Sequence, residues 1–128
     1  MSHVVLITGL PGSGKTTLAM LEFRDYVLVD DPKFGDVQFI DDYLSENLDI
    51  VIVDPNLCRA AARERAMKHF TDLGHSVQCV FFANDPLQCR INAASRVQPR
   101  PVNADIDALT RVYEIPAGAD VRPVWRPE

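Results

Sequence analysis

A glycine-rich stretch directly after a short apolar run constrains the fold of this chain more than any other feature. Residues 9–16 read Gly-Leu-Pro-Gly-Ser-Gly-Lys-Thr and match the pattern G-x-x-x-x-G-K-[ST], which cradles phosphate groups. Glycines let the backbone turn N–H groups towards an anion, and a helix that begins there adds its positive dipole end. The apolar run "HVVLIT" of residues 3–8 comes just before. We therefore predict a buried strand, a phosphate loop and a helix in succession.

The residue types in this loop predict how a nucleoside triphosphate is held. Lys15 is expected to bridge the β- and γ-phosphates, and the hydroxyl of Thr16 is expected to hold Mg²⁺. Thr17 follows in the sequence and can reach the α-phosphate. The remaining predicted nucleotide-binding residues are Gly9, Pro11, Gly12, Ser13 and Gly14.

Short apolar segments alternate with helical patterns along the rest of the chain. We expect further strands over 26–31, 49–54, 76–83 and, at an edge, 119–125, and helices over 15–25, 36–47, 56–74, 85–96 and 103–114. Asn56 is expected to cap the longest helix and Gly74 to end it. This alternation predicts a three-layer α/β fold with a five-stranded parallel sheet in the order 2-3-1-4-5. With 128 residues, one domain over 1–128 is expected.

Composition narrows the classes of partner. The net charge is −5, so the chain as a whole does not attract nucleic acid. No apolar run approaches the length of a membrane span and no signal peptide is evident, which predicts a cytoplasmic protein without a membrane partner. Residues 90–128 alone have a basic balance, with six arginines against five acidic side chains. A polyanion would therefore be met there.

The apolar segment "DIVIVD" ends in Asp54, which can hold Mg²⁺ directly or through water. The alternative for Asp54 is a turn or cap residue. Pro55 and Asn56 follow, where ATPase motors place a water-activating glutamate, and no guanine-reading N-K-x-D occurs. This pattern favours phosphoryl transfer to an acceptor over hydrolysis.

Transfer needs a base for the acceptor hydroxyl and cations for the developing charge. Asp30 or Asp31, at the end of the second strand, can face the γ-phosphate, or both can belong to a solvated turn. Arg90 and Arg96 lie on a predicted helix that leads into a proline-bounded loop. We predict a lid over 90–102 that brings these arginines to the phosphates; the alternative is two solvated side chains.

The motifs "GLPGSGKTT", "LVDDPK", "VIVDPNL" and "ANDPLQCRINAASR" together resemble the small phosphate-loop kinases that include the kinase domain of phage polynucleotide 5′-kinases and zeta-toxin-like proteins. The resemblance implies transfer of a phosphoryl group from ATP, with Mg²⁺, to a hydroxyl, either in a bacterial cytoplasm or from a phage gene in its host. It implies Asp30 as general base, with Lys15 and Arg96 also catalytic. Lys33 would meet a phosphate of the acceptor, Asp54 would position acceptor or metal, and Arg90 would bind the nucleotide.

Two departures from that family bear on the acceptor. Its lid arginines are closer together than Arg90 and Arg96, and its segment between the second and third strands is longer than residues 32–48, which are acidic here. A nucleic-acid hydroxyl, at a 5′-end or on a hydroxylated base, is the first interpretation. A nucleotide, nucleoside or other small metabolite is the alternative, and an ATPase switch without acceptor is the third. The tail 116–128 either packs on the nucleotide base through Trp125 or Pro116, or frays.

Overall fold

The computed structural model describes residues 2–30, 37–96 and 102–127, with the backbone alone for 37–39. Its strands are β1 (His3–Thr8), β2 (Val27–Asp30), β3 (Ile50–Val53), β4 (Ser76–Phe82) and β5 (Asp120–Arg122). Its helices are α1 (Lys15–Glu22), α2 (Val37–Ser45), α3 (Ala60–Asp72), α4 (Pro86–Ala94) and α5 (Asn103–Val112), with a 3₁₀ turn at Pro55–Cys58. Each predicted strand and helix is present, with ends shifted by a few residues.

All five strands are parallel and lie in the order β2-β3-β1-β4-β5, which confirms the predicted sheet. β1 is the central strand, where Val5 lies opposite Val51 of β3 and Gln78 of β4. The apolar runs of β1 and β3 are buried on both faces, as parallel strands between two helical layers require.

Helices cover both faces of the sheet. On one face, the core combines Val4, Leu6, Ile50 and Ile52 with Ile40 and Leu44 of α2 and Phe70 of α3. This side continues under α4 and α5, where Phe81 packs with Cys89, Ile106 and Leu109. On the other face, Val5, Ile7, Val51, Val53, Val80 and Phe82 pack against Ala19 of α1. The carboxyl ends of β1 and its neighbours therefore open at one edge between these layers.

The start of α3 differs from the sequence prediction. Asn56 does not cap it: Asp54 caps the 3₁₀ turn by accepting from the backbone N of Asn56 at 2.8 Å, and α3 begins only at Ala60. Pro55 suits the first position of such a turn because its missing N–H has no partner to lose. At the other end the prediction is confirmed, since Gly74 has φ 88° and its N donates to Thr71 O at 2.9 Å.

The last described residues are fixed to the body of the protein. β5 is the edge strand that was expected, and Arg122 pairs with Glu22 of α1 at 2.6 Å. Val124 is buried in the core beneath α5. The described tail, up to residue 127, is therefore packed on the body of the protein. Its packing on a nucleotide base through Trp125 or Pro116 stays a prediction. Across the three described ranges, none of the helices combines the length and apolarity needed to cross a bilayer.

Candidate nucleotide-binding site

The glycine-rich loop joins β1 to α1, as the sequence predicts. Gly12 and Gly14 adopt left-handed backbone conformations, with φ of 87° and 104°, and Gly14 is the N-cap of α1. A Cβ on Gly9 would lie 2.5 Å from Oγ of Ser13 and 3.0 Å from Cβ of Phe82, so a side chain there would force its neighbours to move. The loop thus has the backbone of an anion-binding turn at the N-terminus of a helix.

Lys15 lies under the loop rather than on the surface. Its side chain is 7% exposed, and Nζ donates to the carbonyl oxygens of Gly9 and Leu10 at 3.0 Å each. Burial lowers the pKa of Lys15 from 10.5 to about 8, because the ammonium has lost most of its hydration. Near neutral pH the group is still charged, and a phosphate would replace the hydration that burial removes.

Asp30 and Arg96 reach Lys15 electrostatically. The Asp30 carboxylate, at the end of β2, raises the pKa of Lys15, and the Arg96 guanidinium, beyond the end of α4, lowers it. Both side chains are exposed and so are accessible to a ligand. The other two residues predicted to be catalytic therefore both lie within electrostatic reach of Lys15.

Hydroxyl groups complete the loop. Among the described residues, Oγ of Ser13 and Oγ1 of Thr8 are buried without a hydrogen-bond partner, which is costly unless a ligand or water meets them. Thr16 is half-buried and Thr17 exposed in the first turn of α1.

In the described ranges no three His, Cys, Asp or Glu side chains gather into a metal cluster. Mg²⁺ does not need one, since it is held by one or two side chains and the phosphates. The residues present fit a magnesium nucleotide.

Asp54 is half-buried at the end of β3, between the strands that lead to Asp30 and to the loop. Its Oδ1 accepts from the N of Asn56 at 2.8 Å, so the alternative role as a cap residue is present. A carboxylate accepts at several lone pairs, and the cap is compatible with holding acceptor or Mg²⁺, which stays a prediction.

Arg90 is engaged by a carboxylate of α5. Its Nη2 pairs with Oδ1 of Asp107, so the ion pair joins α4 to α5 across the predicted lid. Lys33, and residues 97–101 of the lid 90–102, lie outside the described residues. Pro11 is half-buried in the turn at the tip of the loop.

Two contacts with the loop were not predicted from the sequence. The amide of Asn92 and the backbone of Trp125 both hydrogen-bond to loop carbonyls. The sequence does carry a signal for Asn92, since it lies on the stripe of α4 that also buries Cys89 and Ala93. A buried amide on an apolar stripe needs polar partners.

Comparison with solved structures identifies the fold. The chain is similar to a gluconokinase from Sinorhizobium meliloti 1021, with a TM-score of 0.64 and 14% identity over 98% of this chain and 84% of that one. It is also similar to a sugar kinase from Janibacter sp. HTCC2649, with a TM-score of 0.69 and 13% identity over 99% of this chain and 87% of that one. No protein-family model and no curated protein matches the sequence. At these identities the likeness shows a shared fold.

Proposed function

We propose that this protein is an ATP-dependent kinase that transfers the γ-phosphoryl group to a hydroxyl of a small polyhydroxylated metabolite. One observation carries the proposal: Lys15 is buried beneath a glycine-rich loop, where the charges of Asp30 and Arg96 both change its pKa. The loop supports nucleotide binding. A carboxylate and a guanidinium that both act electrostatically on this lysine support transfer to an acceptor rather than binding alone.

In the proposed mechanism, Asp30 accepts the proton of the acceptor hydroxyl. The acceptor oxygen forms a bond to the γ-phosphorus, the bond between that phosphorus and the β–γ bridging oxygen breaks, and ADP leaves with the electron pair. Lys15 and Arg96 stabilise the charge on the moving phosphoryl group and on the leaving oxygen. Mg²⁺, when bound, neutralises phosphate charge, and Thr16 and Asp54 are the residues that we assign to it.

Further residues serve binding. The loop backbone from Gly9 to Gly14, the hydroxyl of Ser13 and that of Thr17 hold the phosphates. Pro11 has no N–H and the N of Ser13 donates to the carbonyl oxygen of Leu10 at 3.1 Å, so we assign the remaining loop N–H groups to the anion. Arg90 contacts the nucleotide when it leaves Asp107. Lys33 meets an anionic group of the acceptor. These assignments rest on the motif and on the resemblance described above.

A small acceptor is favoured over a polynucleotide on two grounds. The similar solved structures are those of a gluconokinase and a sugar kinase. The described part of the segment between β2 and β3 is acidic, with Asp42 and Glu46 exposed. These carboxylates and the net charge of −5 repel a polyanion such as a nucleic acid. The nucleic-acid hydroxyl, first on sequence grounds, thus becomes the second candidate.

The test is transfer of label from γ-labelled ATP, with Mg²⁺, to a panel of acceptors. The panel holds sugars and sugar acids, nucleosides and nucleotides, a 5′-hydroxyl oligonucleotide and DNA with hydroxymethylated bases. Label on a sugar or sugar acid is the expected result. Label on an oligonucleotide would restore the nucleic-acid interpretation, and label released only as free phosphate, whatever the acceptor, would overturn the kinase in favour of an ATPase.

A further inference from the structure

Asn92 of α4 joins three parts of the protein through one side chain. Its amide is 8% exposed. Nδ2 donates to the carbonyl oxygen of Gly12 at 2.9 Å and to that of Trp125 at 2.6 Å. Oδ1 accepts from Nε2 of Gln88, one turn earlier, at 2.9 Å, and this bond fixes which way the amide faces. Both N–H groups of a buried amide are thus committed to backbone carbonyls.

The phosphate loop packs closely against α4 and the tail. A Cβ on Gly12 would lie 2.4 Å from the carbonyl oxygen of Cys89, and one on Gly14 would lie 2.7 Å from Cβ of Trp125. The N of Trp125 donates to the carbonyl oxygen of Ser13 at 3.0 Å. Two successive loop carbonyls, of Gly12 and Ser13, are therefore held from outside the loop, one by Asn92 and the other by the tail.

The direction of these carbonyls matters for anion binding. A loop of this kind binds phosphate through N–H groups that face inwards, and a carbonyl turned inwards would repel the anion. In a planar trans peptide the C=O and the following N–H point in opposite directions. Holding the Ser13 carbonyl towards the tail therefore turns the N–H of Gly14 away from the tail. Asn92 holds the tail through the carbonyl of Trp125 and also holds the preceding loop carbonyl, that of Gly12.

We propose that Asn92 is a positioning residue for nucleotide binding, which keeps the Gly12 carbonyl turned out of the phosphate loop and secures the tail that does the same for Ser13. The inference rests on the proposed function, since it presumes that the loop binds a nucleotide.

The test compares Asn92→Asp with Asn84→Asp. The first replaces two N–H donors by a carboxylate oxygen that repels both carbonyls, at almost the same volume. Asn84 is a matched control, because its amide also donates to a backbone carbonyl, that of Thr110 in α5 at 3.2 Å, but is exposed. Magnesium-ATP affinity is measured by calorimetry, and KM and kcat by labelled transfer, on proteins whose folding is checked by circular dichroism.

We expect Asn92→Asp to weaken ATP binding and raise KM for ATP by about tenfold, the effect of unpairing buried carbonyls, while kcat at saturating ATP changes by less than about twofold. A merely structural defect would instead lower the active fraction and hence kcat. Asn84→Asp should leave both constants unchanged. A folded Asn92→Asp protein with wild-type KM would overturn the inference.

A milder variant covers the case in which Asn92→Asp does not fold. Gln88→Glu puts a carboxylate beside Oδ1 of Asn92 and favours the flipped amide, whose oxygen then faces the carbonyls. It should weaken ATP binding by about threefold, and unchanged affinity would overturn the inference. If the wild-type protein binds no nucleotide, the proposed function falls and the inference with it; if the wild type binds ATP and the variants match it, only the inference falls.

Discussion

The carboxylate of Asp30 raises the pKa of the Lys15 ammonium, although the strands that lead to these residues, β2 and β1, are separated by β3. Parallel strands end at the same edge of the sheet, and this brings together two groups that are 15 positions apart in the sequence. In the proposed mechanism the lysine faces phosphate, and the carboxylate faces the hydroxyl that attacks it.

Asp30→Asn should separate binding from turnover. The amide cannot accept the proton of the acceptor, so we expect kcat to fall by about 10²–10⁴-fold, while ATP affinity changes little because the loop is intact. Steady-state transfer assays and calorimetry measure the two effects. Asp25→Asn is the control, since Asp25 is exposed in the turn before β2, at the opposite edge of the sheet. Normal turnover in Asp30→Asn would assign the base to another carboxylate, with Asp31 or Asp54 the next candidate.

Lys15 makes stability depend on pH in a definite direction. The pKa of Lys15 is about 8 in the folded protein and 10.5 ordinarily. Between these two pH values the unfolded chain binds more protons than the folded protein, so the contribution of Lys15 makes the free energy of unfolding rise as pH rises. Burial of Cys58 and Cys89 raises the pKa values of their thiols from 9 to about 11. This acts the opposite way, because the unfolded thiols ionise first and the free energy of unfolding falls as pH rises from 9. The comparison with a Lys15→Met variant isolates the lysine.

We expect Lys15→Met to abolish ATP binding and to be more stable than wild type at about pH 7. Its advantage in the free energy of unfolding should shrink by about 1 kcal/mol between about pH 7 and about pH 9. Urea denaturation at the two pH values measures it. An advantage that stays constant would mean that Lys15 does not titrate in this range, and normal transfer activity in the variant would contradict the role of the phosphate loop.

Most of the fold could be predicted from the sequence. The apolar runs of β1 and β3 and the glycines of the loop are local signals, and they agree with the global arrangement. The 3₁₀ turn before α3 was missed because Asp54 and Asn56 are both good cap residues, and the sequence does not decide between them. Boundaries of this kind are the least predictable part of a fold.

The site was predictable in its residue types and less so in its contacts. The motif pointed to Lys15 and the strand ends pointed to Asp30, but the depth of burial that lowers the pKa of Lys15 depends on packing from several elements. The bond between Asn92 and Gly12 joins residues 80 positions apart, and that between Arg90 and Asp107 depends on how α4 lies on α5. Such contacts follow from tertiary packing, which local patterns do not encode.

Asp107→Asn should tighten nucleotide binding. Arg90 pairs with Asp107, and if Arg90 contacts the nucleotide it must give up this partner, so removing the carboxylate removes a competitor. The pair is partly exposed, with side chains 39% and 52% accessible, and pairs of this kind contribute little. We therefore expect ATP affinity to rise by only about two- to threefold, measured by calorimetry at low salt.

Asp105→Asn controls for the change in charge, because Asp105 is exposed in the first turn of the same helix. Its effect on ATP affinity should be smaller than that of Asp107→Asn. Arg90→Ala should weaken binding in the same assay. Equal affinities in the two aspartate variants would remove Arg90 from the nucleotide site and leave its pair with Asp107 as a link between helices.

Gly12→Ala should destabilise the protein more than Gly118→Ala. Both glycines have positive φ, 87° and 77°, so both variants carry the strain of a left-handed backbone, about 1 kcal/mol. At Gly118 a Cβ meets nothing within 4 Å, whereas at Gly12 it lies 2.4 Å from the backbone oxygen of Cys89. That oxygen belongs to a helix and cannot move aside cheaply, so either α4 separates from the loop or the loop is distorted.

The difference between the two alanine variants therefore isolates the contact of the loop with α4. We expect Gly12→Ala to lose at least about 1–2 kcal/mol more stability than Gly118→Ala and to weaken ATP binding, because separation from α4 also breaks the bond from Asn92 to Gly12. Thermal and urea unfolding measure the first effect and calorimetry the second. Equal losses of stability in the two variants would mean that the loop does not need its close approach to α4.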